Sequence, residues 1–231
     1  MIASQSQPIF HLTFLYAWRR ENSTLKTLYF DHGLYLSAEG WERFSSFLSD
    51  AKCSIGNLLL GENNMTDEHF TTLGEVLTIN KKLKYLHLFD ESFEVTQQGW
   101  RGFSTCLQSD YSELQELYLN GCNIDDDSVT HLFSALATNT SLKILKVEEI
   151  DSITPTGWFM YFQLLENSKS VLEELDFIDV NFDDKAVTML GKLLLYDMIT
   201  VRSLRVFDIP TIGRNGWSAL AWSWIATQVP Y

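Results

Sequence analysis

The chain has 231 residues, 45% of them hydrophobic, and a formal net charge of −13. That charge argues against nucleic acid or an anionic membrane as partner and favours a basic one. Three cysteines (Cys53, Cys106, Cys122) with no CxxC pair argue against a disulfide framework and point to free thiols in a reducing compartment, hence a cytoplasmic protein.

The first apolar stretch, Ile9 to Trp18, is followed rather than preceded by the basic pair Arg19-Arg20, the wrong polarity for a signal peptide. It aligns with Leu132–Leu142 and reads as a helix with Leu12, Leu15 and Tyr16 inward and its strand absent. No stretch is long enough to cross a membrane. From Leu25 onward one unit recurs, opening at Leu25, Ile55, Leu83, Leu114, Leu142, Leu172 and Leu204, at spacings of 30, 28, 31, 28, 30 and 32 residues. Long and short units alternate. Gly-Trp pairs at Gly40-Trp41, Gly99-Trp100, Gly157-Trp158 and Gly216-Trp217 recur every 59, 58 and 59 residues, one long unit plus one short.

Each unit opens with apolar residues at period two, as in LQELYL from Leu114, which predicts a strand whose leucines point inward. A helix start follows. An apolar residue precedes a capping position and a second follows four places after the cap: Val95-Thr96…Trp100, Ile153-Thr154…Trp158 and Ile212-Gly213…Trp217 in long units, Met65-Thr66…Phe70, Ile124-Asp125…Val129 and Phe182-Asp183…Val187 in short ones. This is a capped helix with a hydrophobic staple, and the tryptophans are its apolar anchors. Asp67, Glu68, Asp126, Asp127 and Asp184 suit the positive ends of the helix dipoles. In the last helix Trp222 and Ile225 stand where other long units carry polar residues, for example Thr105 and Gln108, so this end is expected to pack on a further repeat, a partner or a second copy. No linker interrupts the pattern. Residues 1–231 therefore read as a single solenoid domain of about seven strand–helix units preceded by a partial N-terminal unit, within a longer array.

The LxxLxL openings, the full helix and the long–short alternation resemble leucine-rich repeats of the ribonuclease-inhibitor-like subclass, over roughly residues 10 to 225. The resemblance implies an α/β horseshoe, a right-handed solenoid with parallel strands on the concave face and helices on the convex face. It also implies a protein or peptide partner bound to the sheet. At the Asn/Cys position of that pattern short units hold Asn63, Cys122 and Val180, whereas long units depart from it with Gly33, Glu91 and Ile150.

Outward strand positions form three columns across the concave sheet, with neighbours about 4.8 Å apart. The first reads Thr27, Asn57, Tyr85, Glu116, Ile144, Glu174, Val206; the second Tyr29, Leu59, His87, Tyr118, Lys146, Asp176, Asp208; the third Asp31, Gly61, Phe89, Asn120, Glu148, Ile178, Pro210. Tyr29, Tyr85, His87, Phe89 and Tyr118 form an aromatic patch that would take a partner's apolar residues, and Glu148, Glu174, Asp176 and Asp208, beside Lys146, an acidic field for its Lys or Arg.

The sequence holds no HExxH, no closed calcium loop around Asp125-Asp126-Asp127, no phosphate loop before Gly191-Lys192 and no nucleophile elbow. We therefore expect no catalytic residue, metal or cofactor. The expected function is a protein-recognition scaffold. The alternative is a GTPase-activating protein of the leucine-rich-repeat type, whose rim residues find no match here.

Overall fold

The computed structural model describes residues 25–30, 38–61, 65–89, 95–108, 112–196 and 199–228, without the side chains of residue 38 and of 224–228. The helix expected over 9–18, the Asn/Cys-position residues Gly33, Asn63 and Glu91, the column residue Asp31 and the side chain of Ile225 lie outside the described residues. Strands and helices alternate: β1 Thr27–Phe30, α1 Ala38–Ser49, β2 Asn57–Gly61, α2 Asp67–Ile79, β3 Tyr85–Phe89, α3 Gln97–Gln108, β4 Glu116–Asn120, α4 Asp126–Thr138, β5 Ile144–Ile150, α5 Pro155–Leu165, β6 Glu174–Val180, α6 Asp184–Leu195, β7 Ser203–Phe207 and α7 Arg214–Gln228. The seven strands form one parallel sheet in sequence order. This is the α/β solenoid that the repeat predicted.

The period-two leucines explain the sheet. Leu58, Leu86, Leu117, Leu145 and Leu175 are in register and fully buried. The helices bury their stapled faces against them: Met65, Ile124, Ile153, Phe182, Trp100 and Trp158 are at most 2% exposed. Trp41 is buried too, stacked on His69 of the next unit at 4.5 Å. Trp41, Trp100 and Trp158 are thus core anchors, as their spacing predicted, whereas Trp217 of the last unit is 41% exposed.

Two sets of polar contacts join the units. The first-turn aspartate of each short-unit helix reaches forward to the cap of the next long-unit helix. Asp67 accepts from the Thr96 N–H (2.7 Å) and hydroxyl (2.6 Å), Asp126 from those of Thr154 (2.8 and 2.5 Å), and Asp184 from the Gly213 N–H (2.6 Å). Each carboxylate therefore satisfies a free N–H at the start of a neighbouring helix as well as suiting its own helix dipole. This explains the glycines of the second, third and fourth Gly-Trp pairs. A Cβ at Gly99, Gly157 or Gly216 would lie 2.5, 2.4 or 2.6 Å from the same aspartate oxygen. Only a residue without a side chain leaves room for the carboxylate.

The second set runs backward. Asn80 and Asn139, at the C-caps of α2 and α4, are buried and donate to the Leu48 and Leu107 carbonyls of the preceding long units (2.6 and 2.7 Å). Their side-chain oxygens accept from the N–H groups of Leu83 and Leu142, which open the next unit (2.9 and 2.6 Å). Asn139 also begins the glycosylation triplet Asn139-Thr140-Ser141, and its buried amide is closed to glycosylation in the folded chain. Cys122 is buried, its thiol 3.5 Å from the Leu88 carbonyl. Cys53 and Cys106 are also buried and free, and burial pushes the Cys106 thiol up to about 12. Asp125 caps α4 by accepting from the Ser128 N–H at 2.9 Å, and no cluster of metal ligands occurs among the described residues.

One expectation fails. Leu204 pairs with Leu175, the second leucine of its unit rather than the first. The last unit therefore opens at Val201, 29 residues after Leu172, and not at Leu204. A valine stands at the opening position, so the first leucine met along the chain is the wrong one. The sheet settles the register because a parallel strand must align its inward side chains with those of its neighbour.

Trp100→Ala should cost about 3–5 kcal/mol in equilibrium denaturant unfolding, as aromatic truncations in packed cores do; a loss below ~1 kcal/mol would remove the tryptophan from the core's essential anchors. Gly157→Ala should cost about 1–3 kcal/mol through overpacking against Asp126. In an Asp126→Ala background the same substitution should cost clearly less, and additive losses in that double-mutant cycle would show that the carboxylate is not what the glycine accommodates.

Candidate partner-binding face

The outward side chains of the seven strands line the concave face, and pairing fixes which of them meet. The second column is Tyr29, Leu59, His87, Tyr118, Lys146, Asp176 and Arg205. The first ends at Ser203 rather than Val206, and the third at Phe207 rather than Pro210. Asp208, expected in the second column, lies just beyond β7 with φ 53°, in line with Gly121, Glu149 and Asp179 (φ 61°, 55° and 48°) at the same turn of earlier units. Aspartate tolerates this left-handed conformation better than most residues. Asp208 thus belongs to the strand-to-helix turn. Arg205, which the shifted reading missed, takes its place on the face; matching Leu204 to Leu175 would have found it.

The five predicted aromatic residues come together. Tyr29 stacks on Phe89 (centroids 5.7 Å, planes 11° apart), and Phe89 meets His87 at 4.9 Å. His87 meets Tyr118 at 5.7 Å, and Tyr118 meets Tyr85 edge-on at 4.9 Å. The path crosses from β1 to β4. It passes over β2 because position 61 is glycine: a Cβ there would lie 2.0 Å from the Phe89 ring. Tyr29 is 56% exposed and Phe207, on the opposite side of the face, 63%.

From Tyr118 the face becomes ionic. The Lys146 ammonium lies 4.8 Å from the Tyr118 ring centre, 3.1 Å from Glu174 and 3.9 Å from Asp176. Arg205 donates to both oxygens of Asp176 (2.7 and 2.5 Å) and approaches Glu148 at 3.9 Å. Glu148 also accepts from Asn120 at 3.2 Å. Asp176 has only 2% of its side chain exposed, so it serves the network and is closed to a partner's cation. The acidic field is largely answered from within the chain. Burial acts to lower the Lys146 pKa, but Tyr118 and Glu174 outweigh it and hold the ammonium above its ordinary value. Burial raises Tyr85, helped by Tyr118 and Glu116. Burial lowers His87, against the pull of Glu148, so the imidazole is neutral at the centre of the patch near neutral pH.

A parallel sheet open on its concave side, backed by helices and built from alternating leucine-rich units, defines a leucine-rich-repeat solenoid. No family model matches the chain. Among curated proteins it is similar to the NACHT, LRR and PYD domains-containing protein 9B of Mus musculus, at 26% identity over 144 residues, which is 62% of this chain and 14% of that protein. Over 165 residues it is 29% identical to the NACHT, LRR and PYD domains-containing protein 5 of Mus musculus, covering 70% of this chain and 13% of that protein. The Homo sapiens protein 5 of that name is 31% identical over 110 residues, 48% of this chain and 9% of its own length. The chain thus spans about a seventh or less of these three relatives. A solved TLR13–ssRNA13 complex aligns with 87% of this chain and 32% of its own at 13% identity, with a TM-score of 0.42, too low to add to the fold assigned above. No helix among the described residues is long and apolar enough to cross a membrane.

The lowered pKa of His87 has a consequence for stability. As pH falls, the unfolded chain takes up the imidazole proton near the ordinary value of 6.5, before the folded chain does. The stabilisation is full above that value and declines as pH falls through it toward the lower folded pKa. Urea midpoints measured at about pH 7.5 and pH 5 should therefore fall less in His87→Gln than in the unmodified chain; equal losses would show that His87 titrates freely.

Proposed function

We propose that this solenoid is a protein-interaction scaffold that binds a protein or peptide segment on its concave face. The observation that carries the reading is the five-residue aromatic path over β1 to β4. Nothing in the solenoid core requires these side chains, and aromatic residues at the centre of an open face are typical binding hot spots. In this reading the partner lays apolar or aromatic side chains on Tyr85, His87 and Tyr118. The charges beyond them fix register and orientation more than they add affinity. A basic residue of the partner would meet Glu116, Glu148 or Glu174 rather than Asp176, whose oxygens Arg205 holds. The leucine-rich-repeat relatives support a binding role in general terms.

Capture from lysate followed by mass spectrometry supplies the partner on which the reading is tested. Tyr118→Ala and Tyr85→Ala should each weaken its binding by about 2 kcal/mol or more. Met160→Ala, exposed on the convex helix α5, should leave it unchanged. If both tyrosine variants stay folded and bind like the unmodified chain, the partner uses another surface and the concave reading is wrong.

A further inference from the structure

The seventh unit leaves open two groups, most of whose counterparts upstream are closed from the side of the unit that follows them. The first is a base. Just before the strand, long units carry Lys26, Lys84, Lys143 and Arg202. Lys84 pairs at 2.6 Å with Glu113, the residue just before the next short unit opens, and Lys143 with Glu173 of the next short unit at 3.6 Å, whereas Lys26 has no ion pair among the described residues. Arg202 continues the series, is exposed, and has no ion pair among the described residues.

The second is the staple tryptophan. His69 of the following short unit stacks on Trp41, and Phe177 and Phe182 of the following short unit stand edge-on to Trp158 at 5.4 and 5.1 Å. Trp217 is 41% exposed. Beside it a groove of about 270 Å³ opens between β7 and α7, lined by Leu194, Leu204, Val206, Trp217, Leu220 and Ala221. Leu175 and Phe177, which pair with Leu204 and Val206, are fully buried, whereas Leu204 and Val206 are half-buried. Among the described residues the core is incompletely covered at this edge.

Charge points the same way. The residues from 201 to 231 carry three arginines (Arg202, Arg205, Arg214) against one aspartate, Asp208, in a chain of net charge −13. Where a long unit meets the unit after it, the acids that face its base are Glu113 and Glu173.

We infer that the edge formed by β7 and α7 is a docking surface for one more leucine-rich unit of the short, acidic kind. The occupant adds a strand parallel to β7, turns two apolar side chains onto Leu204 and Val206, places an apolar staple over Trp217, and sets an acid against Arg202. It continues the interface that already joins each long unit to the short unit after it. The inference does not depend on the concave face.

The test appends a copy of the chain's own residues 112–141 after Tyr231 of the full chain. Amide exchange over residues 203–207 should then slow by about tenfold or more, as an edge strand becomes an interior one. Arg202→Glu in the extended chain should speed that exchange again, and Glu113→Lys in the appended copy should restore protection. Unchanged exchange on extension overturns the inference, and so does failure of the charge swap to rescue. Sedimentation of the unextended chain tests a different occupant: a dimer that Trp217→Ala dissociates would mean that a second copy covers this edge and would also overturn the inference, whereas a monomer supports it.

Discussion

The structure rests on contacts that reach from one unit to the next. A single strand–helix unit cannot cover both its apolar strand face and its helix stripe, so each depends on its neighbours. The apolar contacts are non-directional and would tolerate sliding. The polar ones would not. A carboxylate at Asp67, Asp126 or Asp184 must meet the cap of the following helix, and the amide of Asn80 or Asn139 must meet a carbonyl of the preceding unit. Buried or half-buried polar groups left without these partners would cost about 1–3 kcal/mol each, which fixes the helices in one register along the solenoid.

The same alternation explains why long and short units are chemically distinct. The long unit supplies the glycine, the tryptophan and the base before the strand. The short unit supplies the aspartate and, in two of the three cases, the buried asparagine at its helix end, and acids at or just before its opening (Glu113, Glu173) answer two of the bases. The indole N–H groups of Trp41, Trp100 and Trp158 lack an acceptor among the described residues, as does the Tyr161 hydroxyl, which burial also pushes well above its ordinary pKa. The core therefore accepts unsatisfied donors in exchange for large aromatic area, consistent with aromatic burial as its main cohesive term.

On the concave side the chain divides its labour. Aromatic side chains over β1 to β4 remain partly exposed because Gly61 lets Phe89 lie flat and reach Tyr29. Over β4 to β7 the charges answer one another, with Asp176 buried beneath Arg205 and beside Lys146. A face of this kind offers apolar contact at its centre and a preset pattern of charge at its side.

The sequence by itself determined the repeat, the parallel strand–helix order, the inward leucines, the stapled tryptophans and the aromatic column, because period two and period four are local properties of the chain. It also placed Asp126 in a first helical turn, but could not tell that its carboxylate reaches Thr154, 28 residues away. The glycine before each tryptophan was visible as a pattern without a cause, since the cause at Gly99, Gly157 and Gly216 is the neighbouring unit's aspartate. The register of β7 was decided only by tertiary structure. Val201 and Leu204 are both plausible openings along the chain, and alignment with Leu172 and Leu175 across the sheet selects the first. That choice moved Asp208 off the concave face, put Arg205 onto it, and left the acidic field largely answered by Lys146 and Arg205. The physical reason is that charge on a surface depends on which side chains meet, and pairing between strands about 30 residues apart is not written in any one of them.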